Sequence, residues 1–132
     1  MSTEIVIADD QELMRLSFRM VIDSQPDLRI TGEAGTGREA IDAAAELRPD
    51  VMLMDIRMPE LDGVQATAAI MAADPDARII LVTTFDVDDY LQSAHRAGAR
   101  GFLLKDAAPA QLLAAIRAVA AGGTVFPSGV AA

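Results

Sequence analysis

A chain of 132 residues has room for one compact domain at about 150 residues per domain, and with no cysteine and a single histidine it offers no disulfide, thiolate metal site, iron–sulfur cluster or histidine-rich metal site. Eleven basic residues against twenty acidic ones leave a net charge of −9, which repels phosphate backbones, so this chain alone is not expected to bind nucleic acid. Apolar runs such as 51–54 and 79–82 fall far short of the roughly 20 residues that span a bilayer, and no Lys or Arg precedes Ile5 to open a secretory signal, so the expectation is a cytoplasmic protein with no membrane partner.

The apolar run 4–8 has strand length, and apolar residues then recur at helical spacing over 10–24. That βα pair returns as strand 28–34 with helix 38–47, and strand 51–54 with helix 64–73. Strand 78–82 with helix 87–97, and strand 101–104 with helix 110–121, complete five repeats. Breakers fall between them: Pro26, Gly35 with Gly37, Pro49, Pro59 with Gly63, Pro75, Gly98 and Pro109. All strands but the second are short and apolar nearly throughout, as strands covered by helices on both faces must be. The expected fold is therefore a doubly wound (βα)5 flavodoxin-like three-layer sandwich with parallel strand order 2-1-3-4-5. Gly122 and Gly123 should end the last helix, making 1–123 the domain and 124–132, with Pro127 and Gly129, the start of a linker.

Ligands of open parallel sheets bind at the carboxyl ends of the strands, near the point where the winding reverses. Strand one ends in Asp9 and Asp10, strand three in Asp55, strand four in Thr83 and Thr84, and strand five in Lys105. Strand two, outermost, ends in Ala34 with no ionisable group. Three neighbouring carboxylates disfavour one another's ionisation unless a cation intervenes. Magnesium suits one or two carboxylates, a carbonyl, waters and a phosphate oxygen. Lys105 adds a point charge and the threonines add hydroxyls, a set that fits phosphoryl transfer with Asp55, at the centre, as nucleophile. Taken singly, Asp9 and Asp10 read as a helix cap, Asp55 as a loop acid and Lys105 as a snorkelling lysine; their joint placement outweighs these readings. Thr36 with Glu39 reads as a capping box, His95 as an exposed helix residue, and the seven methionines as core filler.

The runs Ile5-Val6-Ile7-Ala8-Asp9-Asp10, Asp55-Ile56-Arg57-Met58-Pro59 with Leu61-Asp62-Gly63, Val82-Thr83-Thr84, and Gly101-Phe102-Leu103-Leu104-Lys105 together resemble the receiver domain of a two-component response regulator. The resemblance covers residues 4 to about 123. It implies that Asp55 accepts a phosphoryl group from a histidine of a sensor histidine kinase, while Asp10, Asp55 and the backbone carbonyl of Arg57 bind Mg2+, with Mn2+ as a substitute and Asp9 acting through water. It also implies that Thr83 follows the phosphoryl group, that Thr84 contributes its amide, that Lys105 pairs with the phosphoryl group, and that Phe102 changes rotamer with Thr83. The domain would then be no enzyme toward a separate substrate, although it would assist its own phosphorylation and dephosphorylation. Many receivers carry proline after the lysine; here Asp106 follows, and Lys105-Asp106-Ala107 resembles regulators with a C-terminal helix-turn-helix DNA-binding output domain of the nitrate-response or quorum-sensing type. DNA would be bound only through that absent domain.

Three other readings compete. A flavodoxin-like cofactor binder wants a phosphate-cradling loop after strand one, where Asp9 and Asp10 stand. A phosphatase of the haloacid dehalogenase type needs a second Asp two residues after the nucleophile, where Arg57 stands. A free-standing receiver or a phosphorylation-independent interaction module is the third. Arg57 and Phe85, two residues after Asp55 and Thr83, are expected to restrict water attacking a phosphoryl-aspartate. In the first helix Leu16, Met20, Leu13, Val21, Met14, Phe18 and Ile22 spread over about 240°, more than one buried stripe needs. Some of Met14, Phe18 and Ile22 are expected near the edge of the buried arc, either flanking the Ala-rich fifth helix or serving a phosphorylation-dependent homodimer through the first and fifth helices, with the surface around Tyr90 and Phe102 as its competitor.

Overall fold

The computed structural model describes residues 2–84 and 87–126, the side chains of 87–90 excepted. The order is β1 (Thr3–Ala8), α1 (Glu12–Asp23), β2 (Leu28–Ala34), α2 (Gly37–Leu47), β3 (Val51–Asp55), α3 (Gly63–Ala73), β4 (Ile79–Thr83), α4 (Val87–Ala97), β5 (Gly101–Leu104) and α5 (Pro109–Ala120). The strands form one parallel sheet in the order β2-β1-β3-β4-β5, as the sequence predicts. Tyr90 and Phe85 lie outside the residues whose side chains are described.

Successive side chains of a strand point to opposite faces, and both faces here are apolar. Val6, Met52, Met54, Ile79 and Leu81 pack under α2, α3 and α4 with Ala40, Ala66, Ile70 and Ala94. Ile5, Ile7, Leu53, Ile80 and Val82 pack under α1 and α5 with Phe18, Ile22, Leu112, Ile116 and Val119. Two buried layers on one sheet explain why the strands read as unbroken hydrophobic runs rather than alternating ones.

Local signals set the helix ends. Asp62 caps α3 by accepting from the Gln65 N–H at 2.8 Å, and the Gln65 side chain returns to the Asp62 N–H at 3.1 Å. Thr36 accepts from the Glu39 N–H at 3.1 Å, while Glu39 reaches past the cap to the Gly35 N–H at 2.8 Å. The first helix departs from expectation: its cap position is Gln11, without a side-chain cap bond, and Asp9, not Asp10, accepts from the Gln11 N–H at 2.9 Å.

On the buried side of α1 only Met14, half-buried, lies near the edge of burial as expected. Phe18 and Ile22 are fully inside, at 7% and 0% exposure, and Met14 packs against the same cluster. The outward residues are Leu13, Leu16 and Met20, at 74%, 51% and 68% exposure. These three lie within about 60° on the helix, so the surplus apolar surface is a single outward stripe.

Residues 124–126, expected to begin a linker, lie against the domain. Val125 bridges Gly101 in parallel, accepting from the Phe102 N–H at 2.8 Å and donating to the Arg100 carbonyl at 2.9 Å. Phe126 packs on the cluster containing Phe102 and meets the His95 ring edge-on at 5.6 Å. Val125 and Phe126 thus belong to the packed domain, because the edge of β5 has unpaired backbone groups that the chain itself covers.

Gly63 governs how closely α3 approaches β3. A Cβ there would stand 2.1 Å from the Asp55 carbonyl oxygen, backbone that cannot give way cheaply. Gly63→Ala is expected to destabilise the fold by about 1–3 kcal/mol through overpacking, measured by chemical denaturation, and to move Asp55 with it.

Candidate phosphoacceptor site

The ends of β1, β3 and β5 bring the acids and the lysine together. Asp9, Asp10 and Asp55 each present a carboxylate oxygen, all within 4.8 Å of one another. Lys105 Nζ lies 2.9 Å from Asp9 Oδ2 and 3.2 Å from Asp55 Oδ2, with the three side chains 9%, 1% and 6% exposed. Asp10 is exposed, so the cluster has two buried anions, one buried cation and one anion open to solvent.

Each position follows from the local fold. Asp55 closes β3, where the Ile56 N–H continues the ladder onto the Val82 carbonyl at 3.2 Å, and the Gly63 N–H donates to the Ile56 carbonyl at 2.7 Å. The Lys105 N–H donates to the Thr83 carbonyl at 2.7 Å, fixing the lysine stem beside β4. Thr83 is buried, Thr84 is exposed, and Phe102 is buried among the residues under α4. A turn from the Ala107 N–H to the Leu104 carbonyl follows Lys105. The structure therefore gathers Asp9, Asp10, Asp55 and Lys105 into one cluster, with Thr83 on the adjoining strand.

Electrostatics agree with an excess of negative charge. Burial first, and then the charge of Asp9, raise the pKa of Asp55 to about 6, against the opposing pull of Lys105 and a backbone hydrogen bond from Arg57. Burial works to lower the pKa of Lys105, but its hydrogen bond to Asp9 and the charges of Asp55 and Asp9 raise it overall. The donor set is oxygen throughout, which fits a hard divalent cation such as Mg2+, and the Asp9 charge that adds to burial in raising the Asp55 pKa is one that such a cation would offset.

Two residues near the site carry no signal in the sequence. Arg15 on α1 donates from Nη1 to the Asp9 carbonyl at 2.5 Å and from Nε to Glu33 at 3.0 Å. Glu33 on β2 also pairs with Arg19. The hydrogen bond from Arg19 lowers the Glu33 pKa, against desolvation and with further help from Arg15. Strand two, which ends without an ionisable group, thus reaches the site through Glu33. In sequence these are ordinary charged residues, and no spacing rule connects them.

Residues 5–117 match the family described as the response regulator receiver domain. The chain is 46% identical over 128 residues to the uncharacterized transcriptional regulatory protein YxjL of Bacillus subtilis, covering 97% of this chain and 59% of that protein. It is 42% identical over 122 residues to the oxygen regulatory protein NreC of Staphylococcus aureus, covering 92% and 56%. It therefore spans somewhat over half the length of these curated relatives. A LuxR-family two-component response regulator from Aurantimonas superposes with a TM-score of 0.90 at 32% identity, over 95% of this chain and 89% of that one. The parallel sheet, the acids and lysine at its strand ends and the match across most of the chain converge on one assignment: the protein belongs to the response regulator receiver domain family.

Proposed function

We propose that Asp55 is the phosphoacceptor of this receiver and that its phosphorylation by a sensor histidine kinase controls a transcriptional, DNA-binding output domain of the LuxR or NarL type. The observation that carries the first part is Lys105 Nζ within reach of both Asp9 and Asp55, beside the three-carboxylate cluster. In the transfer, an Asp55 carboxylate oxygen attacks the phosphorus of a phosphohistidine; the P–N bond breaks, and the imidazole nitrogen keeps the electron pair. Mg2+, or Mn2+ in its place, would be held by Asp10, Asp55 and the Arg57 backbone carbonyl, with Asp9 acting through water, and would supply neutralisation of the transferring oxygens. Lys105 then pairs with the phosphoryl group, Thr83 contributes its hydroxyl and Thr84 its amide, and Phe102 responds to Thr83. Protein groups here chiefly position and neutralise. The second part rests on the relatives' descriptions as transcriptional and LuxR-family regulators.

Intact-mass measurement with acetyl phosphate tests the site. The wild-type chain is expected to gain one phosphoryl group with Mg2+ and none after chelation. Equal uptake by Asp55→Asn rules the assignment out.

The stripe of Leu13, Leu16 and Met20 supports a phosphorylation-dependent homodimer through α1 with neighbouring α5, since contiguous exposed apolar side chains mark association surfaces. Phe18 is buried, so its substitution would test folding rather than association. Sedimentation with beryllofluoride and Mg2+ is expected to show dimers for wild type and monomers for Met20→Asp. A monomer under all conditions rules the homodimer out.

A further inference from the structure

We infer that Arg15 is a positioning residue for the acidic loop: it couples the outermost strand β2 to the main chain of Asp9 and so sets the loop for cation binding. The inference rests on the reading of Asp9, Asp10 and Asp55 as a Mg2+ site and adds a residue that lies outside it.

Asp9 makes hydrogen bonds at three of its polar atoms and an ion pair at the fourth, the buried Oδ2. Its N–H donates to the Ala34 carbonyl at 2.9 Å, Oδ1 accepts from the Gln11 N–H at 2.9 Å, and Oδ2 meets Lys105 at 2.9 Å. Its carbonyl accepts from Arg15 Nη1 at 2.5 Å. The first two of these use main-chain N–H groups placed by the fold itself. The Arg15 bond is the one that depends on a side chain reaching in from α1, and it is made at the junction where Asp10, the exposed acid, begins.

The guanidinium is itself fixed. Its Nε donates to Glu33 Oε1 at 3.0 Å, and the other Glu33 oxygen is taken by Arg19. Glu33 therefore anchors the fork on β2, and the planar geometry lets Arg15 bond Glu33 and the Asp9 carbonyl at once, which an ammonium on a flexible stem cannot reproduce. As a salt bridge the Arg15–Glu33 pair, 21% and 31% exposed, is worth little. Its consequence is geometric. Asp10 follows Asp9 directly in the chain, Lys105 pairs with the Asp9 carboxylate, and outer-shell groups that orient ligands commonly govern metal affinity by about 10–100-fold.

Calorimetric titration of the chain with MgCl2 separates the possibilities when run on wild type, Arg15→Met and Arg15→Lys. Positioning predicts that both variants bind Mg2+ about tenfold more weakly, although Arg15→Lys keeps the charge. Glu33→Gln, which frees the fork, should weaken binding in the same direction. Melting in EDTA serves as the control and should stay within a few degrees of wild type for Arg15→Lys. Affinity unchanged or tighter in Arg15→Lys overturns the inference, because charge and not geometry would then be at work. Absence of Mg2+ binding by wild type overturns the metal site itself, a separate outcome.

Discussion

Lys105→Met is expected to lower the stability of the cation-free domain by about 3–5 kcal/mol, the cost of leaving buried carboxylates without their partner. Its ammonium lies 2.9 Å from Asp9 and 3.2 Å from Asp55, and both acids are almost entirely buried. Protonation of Asp55, whose pKa already stands at about 6, limits the loss as pH falls. Methionine keeps the apolar stem, so the loss reports charge rather than a cavity. Millimolar Mg2+ should restore more stability to the variant than it adds to wild type, because the emptied site has greater need of a cation. Urea denaturation in EDTA and in Mg2+ measures both quantities; a variant as stable as wild type in EDTA refutes this role for the lysine.

Asp55→Asn should stabilise the cation-free domain at pH 7 by about 2–3 kcal/mol, at 1.36 kcal/mol per pK unit. The folded-state pKa of Asp55, about 6, lies above its ordinary value of 3.8. The folded chain consequently binds that proton more tightly than the unfolded one. Stability from this group increases as pH falls through 6 toward 3.8, and at pH 7 the ionised carboxylate burdens the fold. The amide variant escapes the burden at every pH. Its melting midpoint should exceed that of wild type at pH 7 in EDTA by roughly 5–10 °C, and the gap should shrink by pH 5 as Asp55 protonates. Comparing variant with wild type isolates Asp55 from Glu33, whose lowered pKa makes stability that is lost toward acid. A gap that is constant with pH contradicts the ionised Asp55 carboxylate as its cause.

Much of the site is legible in the sequence because the sheet converts sequence position into spatial position. Once five βα repeats and the order 2-1-3-4-5 are read, Asp9, Asp10, Asp55 and Lys105 must meet, since each ends a strand on the same edge. Capping is legible for a related reason of short range: Asp62 and Gln65 lie three residues apart, and the bond between them is local. The contribution of β2 is not. Glu33 and Arg15 are 18 residues apart, and their pairing depends on where α1 settles against the sheet.

The first helix and the end of the chain mark the division most clearly. Helical periodicity is a property of the chain alone, so the residues of α1 already state that it carries more apolar surface than one buried stripe requires. They do not say which arc faces inward: the sheet and α5 enclose Phe18 and Ile22 and leave Leu13, Leu16 and Met20 outside. Likewise Pro127 and Gly129 lead the sequence to an expected linker from 124, but the open edge of β5 is what makes Val125 pair with Gly101 and Phe126 pack beside Phe102. Burial and charge at the site belong to the same class. Asp55 is an ordinary carboxylate in the sequence, and its raised pKa exists because folding removes it from water and sets Asp9 beside it.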